Sequence, residues 1–111
     1  NLIKLKMNLP KVIADLTQAQ NNFDSHAYAN CFAETAVVFD EGKTHQGKTA
    51  IEQWIKKANE EYQTVMEPIE YLPAEETLKA KVSGNFPGSP IVLAYHLIIK
   101  EDLIQSLKIT G

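Results

Sequence analysis

Arginine is absent from this sequence. All eleven basic residues are lysine, set against fourteen acidic ones, for a net charge of −3. Without the planar guanidinium fork there is no bidentate grip on phosphates or carboxylates. The acidic balance has the wrong sign for a phosphate-backbone binder, so nucleic acid is not an expected partner. A single cysteine, Cys31, permits no internal disulfide. It fits a reducing cytoplasm and reads as a small core residue. Long apolar runs are missing too. The longest, Ile91 to Ile99, is broken by Tyr95 and His96 and is too short to span a membrane. His26, His45 and His96 lack short metal-ligand spacing and the only cysteine is distant, so neither a metal nor an organic cofactor is expected.

What is present is ordinary globular material: 44% apolar and 23% charged over 111 residues, enough for one core and too little for two. The N-terminus, Asn1 to Met7, alternates lysine with apolar residues and lacks a signal-peptide core. Met7 is a candidate natural start. Residues 1–8 read as an N-terminal extension and 9–111 as one domain.

The first half has helical spacing. Leu9, Val12, Ile13, Leu16 and Phe23 share one face, with Asn8 as N-cap and Pro10 in the first turn; Asn21 and Asn22 close the helix. A short helix follows from Ser25 to about Phe32. Ala36 to Asp40 is a short strand, and Glu41-Gly42-Lys43 a turn. A third helix begins at Thr49 with Glu52 as its capping-box partner and Ile51, Trp54, Ile55, Ala58 and Tyr62 as its apolar face.

The second half has strand spacing: Gln63–Leu72, Thr77–Gly84, Ile91–Lys100 and Leu103–Thr110. In the second of these, Leu78, Ala80 and Val82 alternate with lysine, threonine and serine, the mark of a half-buried strand. Helices followed by a meander of strands predict an α+β domain rather than a parallel βαβ sheet.

One motif needs weighing. Gly42-Lys-Thr-His-Gln-Gly-Lys-Thr49 fits the phosphate-loop pattern and lies between a strand and a helix. Such a loop works only in a parallel βαβ framework with an acidic residue ending another strand to hold magnesium. The later strands offer neither, and turn, helix approach and cap account for Gly42, Gly47 and Thr49. Nucleotide binding is not expected.

The run Phe32-Ala-Glu-Thr-Ala-Val-Val-Phe-Asp-Glu-Gly42, then Gly47-Lys-Thr-Ala-Ile51 and Trp54, resembles the helix–strand–turn–helix core of the nuclear transport factor 2-like superfamily. Val82-Ser-Gly-Asn-Phe-Pro-Gly-Ser-Pro90 with the strands after it is similar to the second half of the SnoaL-like branch. The resemblance spans roughly Leu9 to Thr110. It implies a cone-shaped, curved antiparallel sheet with three N-terminal helices on its concave face, enclosing an apolar pocket. Isomerases, cyclases, dehydratases and non-enzymatic domains share this fold, so fold alone does not decide activity.

Strand parity puts Asp40 on one face with Ala36 and Val38. On a cavity wall, desolvation raises its pKa and makes it a general base. At a strand end it can equally face solvent or cap the Gly42 turn. By resemblance Asp40 falls where ketosteroid isomerases carry their proton-abstracting aspartate. Tyr95, on the parity of Leu93, Leu97 and Ile99, falls where they place an acidic oxyanion donor. A buried phenol can steady an enolate oxygen, or simply be a core aromatic. The isomerases' other donor, a tyrosine on the first helix, matches Leu16 here. Related dehydratases pair histidine with aspartate, which keeps His45, at the pocket rim, a candidate. The epoxide hydrolases' Asp–Arg–Asp set is impossible without arginine.

Leu16, Tyr28, Val38, Trp54, Tyr62 and Leu97 would line the pocket. Val92, Ala94, His96 and Ile98 lie on the opposite parity and need a cover, which predicts a homodimer through the outer sheet face. The expected function is a cytoplasmic pocket protein taking a small apolar carbonyl or polycyclic molecule. It would be either a cofactor-independent isomerase, cyclase or dehydratase, or a non-catalytic binding or dimerisation module.

Overall fold

The computed structural model describes residues 8–111; the proposed extension and Met7 start lie outside them, Asn8 apart. Helices α1 (Lys11–Asn21) and α2 (Ser25–Ala29) come first, followed by strands β1 (Phe32–Asp40) and β2 (Lys43–Gln46). Helix α3 (Lys48–Tyr62) leads into β3 (Val65–Leu72), a 3-10 turn (Pro73–Glu75), β4 (Thr77–Ser83), β5 (Ile91–Lys100) and β6 (Leu103–Thr110). The strands form one curved, unclosed sheet in the order β2-β1-β6-β5-β4-β3. The molecule is α+β, as its patterning predicts.

The sheet is mixed rather than wholly antiparallel. β1 and β6 run parallel, and the remaining neighbours are antiparallel. A parallel pair needs a long crossover, which the chain between residues 40 and 103 supplies. Register shifts interrupt β1/β6 between Phe32 and Val37, β3/β4 between Pro68 and Glu70, and β5/β6 between Ile98 and Ile99. Each is a place where the strands bend and twist more sharply, which curves the sheet. Pro68 stands beside one such shift on the edge strand β3, where proline is tolerated.

The concave face holds the core. Helix α1 buries Val12, Ile13, Leu16 and Ala19, and α3 buries Ile51 and Ile55. They lie over Ala36 and Val38 of β1, Leu78, Ala80 and Val82 of β4, Tyr95 and Leu97 of β5, and Ile104 and Leu107 of β6. A buried polar node ties the helices to β3. Gln20 Nε2 donates to Asn59 Oδ1 at 3.0 Å and to the Thr64 carbonyl at 2.8 Å. Beside it Asn21 Nδ2 donates to the Met66 carbonyl, and the Met66 N–H donates back to Asn21 Oδ1.

Helix starts differ from the sequence reading. Helix α1 is capped by Pro10, whose carbonyl accepts from Ile13 and Ala14, and not by Asn8. Helix α3 starts at Lys48 behind Gly47, with no side-chain cap from Thr49. Gly47 has φ +91°, a conformation that sets the entry angle without a side-chain cap. Only α2 has a side-chain cap among these helices, Asp24 accepting from the Ala27 N–H. The segment that fits the phosphate-loop pattern is largely strand β2, a hairpin partner of β1, so its backbone amides do not form an anion cradle. Lys48 lies 3.8 Å from Glu34. No helix among the described residues is long and apolar enough to cross a membrane.

Ile91–Lys100 is not covered on both faces within one chain. Tyr95 and Leu97 are buried, whereas Val92 is 54% and Ile98 48% exposed. His96 is exposed on the same side, between the hydroxyls of Thr77 and Thr110 at 3.3 and 3.0 Å.

Candidate functional site

Period-two alternation along β1 decides where its side chains go. Ala36 and Val38 are buried, Phe39 is exposed, and Asp40 is half-buried on the concave side. The register then builds two rows. Val38 pairs with His45 on β2 and Leu107 on β6, and Leu107 pairs with Leu97 on β5. Phe39 pairs with Lys108, so one position on Asp40 comes level with Ile109. Ile109 pairs with Tyr95, which pairs with Leu78. Asp40 and Tyr95 therefore share a row with one strand between them, about 10 Å apart at the backbone.

Burial pushes the Asp40 carboxyl above the usual carboxylate range, and the charge of Glu41 adds to this. His45 and the backbone N–H of Glu41 pull it partly back. That N–H belongs to the β1–β2 turn, so the carboxyl both faces the core and touches the turn. Burial also drives the Tyr95 phenol far above its ordinary value, with the charge of Asp40 as the second cause. Tyr28, on α2, is buried and raised in the same way, first by burial and then by Tyr95, Cys31 and Asp40. The Cys31 thiol is pushed up to about 11 by burial, which keeps it protonated at neutral pH.

An aromatic ladder links the interior to the rim. Tyr28 lies 5.7 Å from Phe32 and 6.1 Å from Trp54, ring centre to ring centre, and Trp54 stacks on His45 at 5.2 Å. His45 is thus brought to the rim beside Asp40. Leu16, Val38 and Leu97 are fully enclosed core residues. Tyr62 stands apart from Trp54, two turns further along α3, about 12 Å away. It meets the edge of Phe86 in the loop before β5.

A groove of about 630 Å³ lies on α1, α2 and the β5–β6 turn, lined by Asp15, Asp24, Asp102, Cys31 and Leu103 among others. None of the nine candidates lines it. On the concave face the buried side chains of helices and sheet form one core cluster. Among the described residues no cluster of histidine, cysteine and carboxylate side chains is placed to hold a metal.

Two features escape sequence reading. Lys43 is paired directly with Asp40 across the hairpin. A two-residue Glu41-Gly42 turn was the available signal. Tyr28 lies buried within electrostatic reach of Tyr95 and Asp40, which spacing alone does not reveal.

A candidate polyketide cyclase from Sinorhizobium meliloti has a solved structure with a TM-score of 0.85 and 39% identity, over 92% of this chain and 95% of that one. A Catenulispora acidiphila protein with a ketosteroid isomerase-like fold, solved with trimethylamine, gives 0.75 at 18% identity, over 94% of this chain and 87% of that one. A nuclear transport factor 2-like protein of unknown function from Cytophaga hutchinsonii gives 0.73 at 11%, over 95% and 90%. No family model matches the chain, and no curated protein does.

Proposed function

The chain belongs to the nuclear transport factor 2-like superfamily, beside its SnoaL-like relatives, and from that membership we propose a pocket protein that acts on a small apolar carbonyl or polycyclic compound. The observation that carries this reading is a half-buried carboxylate, Asp40, in one concave row with a buried phenol, Tyr95. Asp40 takes a proton from the carbon beside a carbonyl: the C–H bond breaks, an O–H bond forms, and the electron pair moves onto the oxygen as an enolate. Tyr95 donates a hydrogen bond to that oxygen without giving up its proton. Returning the proton to another carbon completes an isomerisation. In a cyclisation the enolate carbon instead attacks a second carbonyl carbon of the same molecule, that carbonyl's electron pair moves to its oxygen, and Asp40 returns the proton to the resulting alkoxide. Neither route uses a cofactor. His45, stacked on Trp54, shapes the rim, and Leu16, Tyr28, Val38 and Leu97 form the wall; Tyr62 borders the mouth.

Deuterium exchange tests this. 2-Tetralone, a small bicyclic ketone, incubated with the protein in heavy water should gain deuterium beside its carbonyl faster than in buffer. Asp40→Asn should abolish the excess. Exchange that persists in Asp40→Asn removes Asp40 as the base.

The single core cluster on the concave face favours a second reading, a non-catalytic module in which the same residues are core. Protein-catalysed exchange of the ketone excludes it. Under either reading we propose a homodimer through the outer face, where Val92, Ile98 and Phe39 are exposed.

A further inference from the structure

A smaller cavity of about 300 Å³ opens where the α1–α2 connection meets the last two turns of α3. Lys56, Asn59 and Glu60 line it from one face of α3 and Gln63 from that helix's C-cap, while Phe23 and Ser25 form the opposite wall. Asn59 is the one buried residue of the six and so forms the floor. Its Oδ1 accepts from Gln20 Nε2, which orients the amide, and its Nδ2 has no acceptor among the described residues. An enclosed amide ordinarily has one. Phe23 is a second anomaly. It is the one exposed member of the apolar stripe of α1, and its backbone lies at φ +54°, a region that a bulky residue rarely takes. Core packing does not explain an exposed ring held in a costly conformation. The third is a pair of charges. Lys56 and Glu60 stand one turn apart, where opposite charges usually meet, yet among the described residues no ion pair joins them.

We propose that this cavity binds the zwitterion of a single amino acid with an aromatic side chain. The carboxylate takes the Asn59 Nδ2 protons and the Lys56 ammonium, the grip open to a chain without arginine. The ligand's ammonium goes to Glu60, near the C-terminal end of α3, where the helix dipole is negative. Its ring packs on Phe23. Separated charges of both signs are what discriminate: Glu60 repels a plain carboxylate and Lys56 a plain amine. A cavity of this volume is at the small end for ligand sites and suits one amino acid. Because Nδ2 is enclosed, binding shifts a side chain at the floor, and Lys56, Glu60 and Gln63 are exposed and free to move. None of the six residues belongs to the concave row of Asp40 and Tyr95, so this site stands apart from the proposed proton transfer.

The test titrates L-phenylalanine into the protein by calorimetry, with amide NMR spectra following the Asn59 side chain. Hydrocinnamate, which lacks the ammonium, and phenethylamine, which lacks the carboxylate, are the controls. L-Phenylalanine should bind saturably and shift the Asn59 side-chain amide signals, and each control should bind roughly tenfold more weakly or worse. Asn59→Leu should weaken binding roughly tenfold. Lys56→Gln and Glu60→Gln should each weaken it about threefold, because exposed charges are screened. Phe23→Asn gives the sharpest contrast. Asparagine tolerates the left-handed backbone, so this variant should melt no lower than wild type while losing affinity. Asp40→Asn should bind L-phenylalanine as wild type does.

No saturable binding of L-phenylalanine at millimolar concentration overturns the proposal. Hydrocinnamate or phenethylamine binding as tightly as the amino acid overturns it too, since the paired charges would then do nothing. Affinity that is unchanged in Asn59→Leu or Phe23→Asn, or lost in Asp40→Asn, places the ligand elsewhere and also overturns it.

Discussion

Gln20 is the polar residue on which the helix layer turns, and replacing it with methionine tests how that layer is held. Gln20 is 6% exposed and Asn59 7%. The near-isosteric Gln20→Met removes the donor to Asn59 Oδ1 at 3.0 Å and to the Thr64 carbonyl at 2.8 Å. Each buried acceptor left bare costs about 1–3 kcal/mol, so roughly 4 kcal/mol for two. The added apolar burial returns about 1 kcal/mol, leaving a net loss near 3 kcal/mol. An unfolding entropy of about 2.1 cal/mol/K per residue turns this into a melting temperature lower by roughly 13 °C for this domain. Asn59→Leu should behave differently. It removes a side chain whose Nδ2 has no partner among the described residues, and it leaves Gln20 bonded to Thr64. Its cost should stay below about 1 kcal/mol. Urea and thermal unfolding of both variants measure this, with the urea slope unchanged. A Gln20→Met protein within about 3 °C of wild type, or an Asn59→Leu protein damaged as severely, would refute the reasoning.

Asp40→Asn should melt at or above wild type at neutral pH. Its folded pKa is raised, so ionising it costs the folded state above that pKa and costs nothing below the unfolded value of about 3.9. The difference between the two proteins should therefore shrink to nothing as pH falls below about 4, read as melting temperature against pH. Gly84→Ala should lose about 2 kcal/mol, since its Cβ would lie 2.7 Å from the Tyr62 carbonyl oxygen and 2.8 Å from Thr64 Cγ2. Chemical denaturation reads that directly. Light scattering should give twice the chain mass at micromolar concentration, and Ile98→Glu should halve it, because it sets a charge in the proposed interface. A monomeric wild type contradicts the dimer.

Much of the fold is legible locally. The Lys79 and Lys81 alternation marks β4, and the limits Ile91–Lys100 and Leu103–Thr110 coincide with β5 and β6. Strand β2 is not legible, because Lys-Thr-His-Gln is a mostly exposed edge strand without an apolar side to announce it. The parallel β1–β6 pairing joins residues some seventy positions apart, such as Val37 and Ser106, and no local pattern encodes it. Parity groups Asp40 with Ala36 and Val38, and Tyr95 with Leu97, but it leaves open which face each group takes. The burial of Ala36, Val38, Tyr95 and Leu97 is what turns both groups toward the core. Parity could not show that the wide groove lies elsewhere, since that depends on how the helices settle over the sheet.

Trp54 is the sole tryptophan, placed between Tyr28 inside and His45 at the rim, so its fluorescence reports on the proposed site. The interior site predicts that titration with 2-tetralone quenches Trp54 along a saturable curve. Quenching that rises linearly, with no more curvature than free N-acetyltryptophanamide shows, would mean that the ketone never enters and would contradict it.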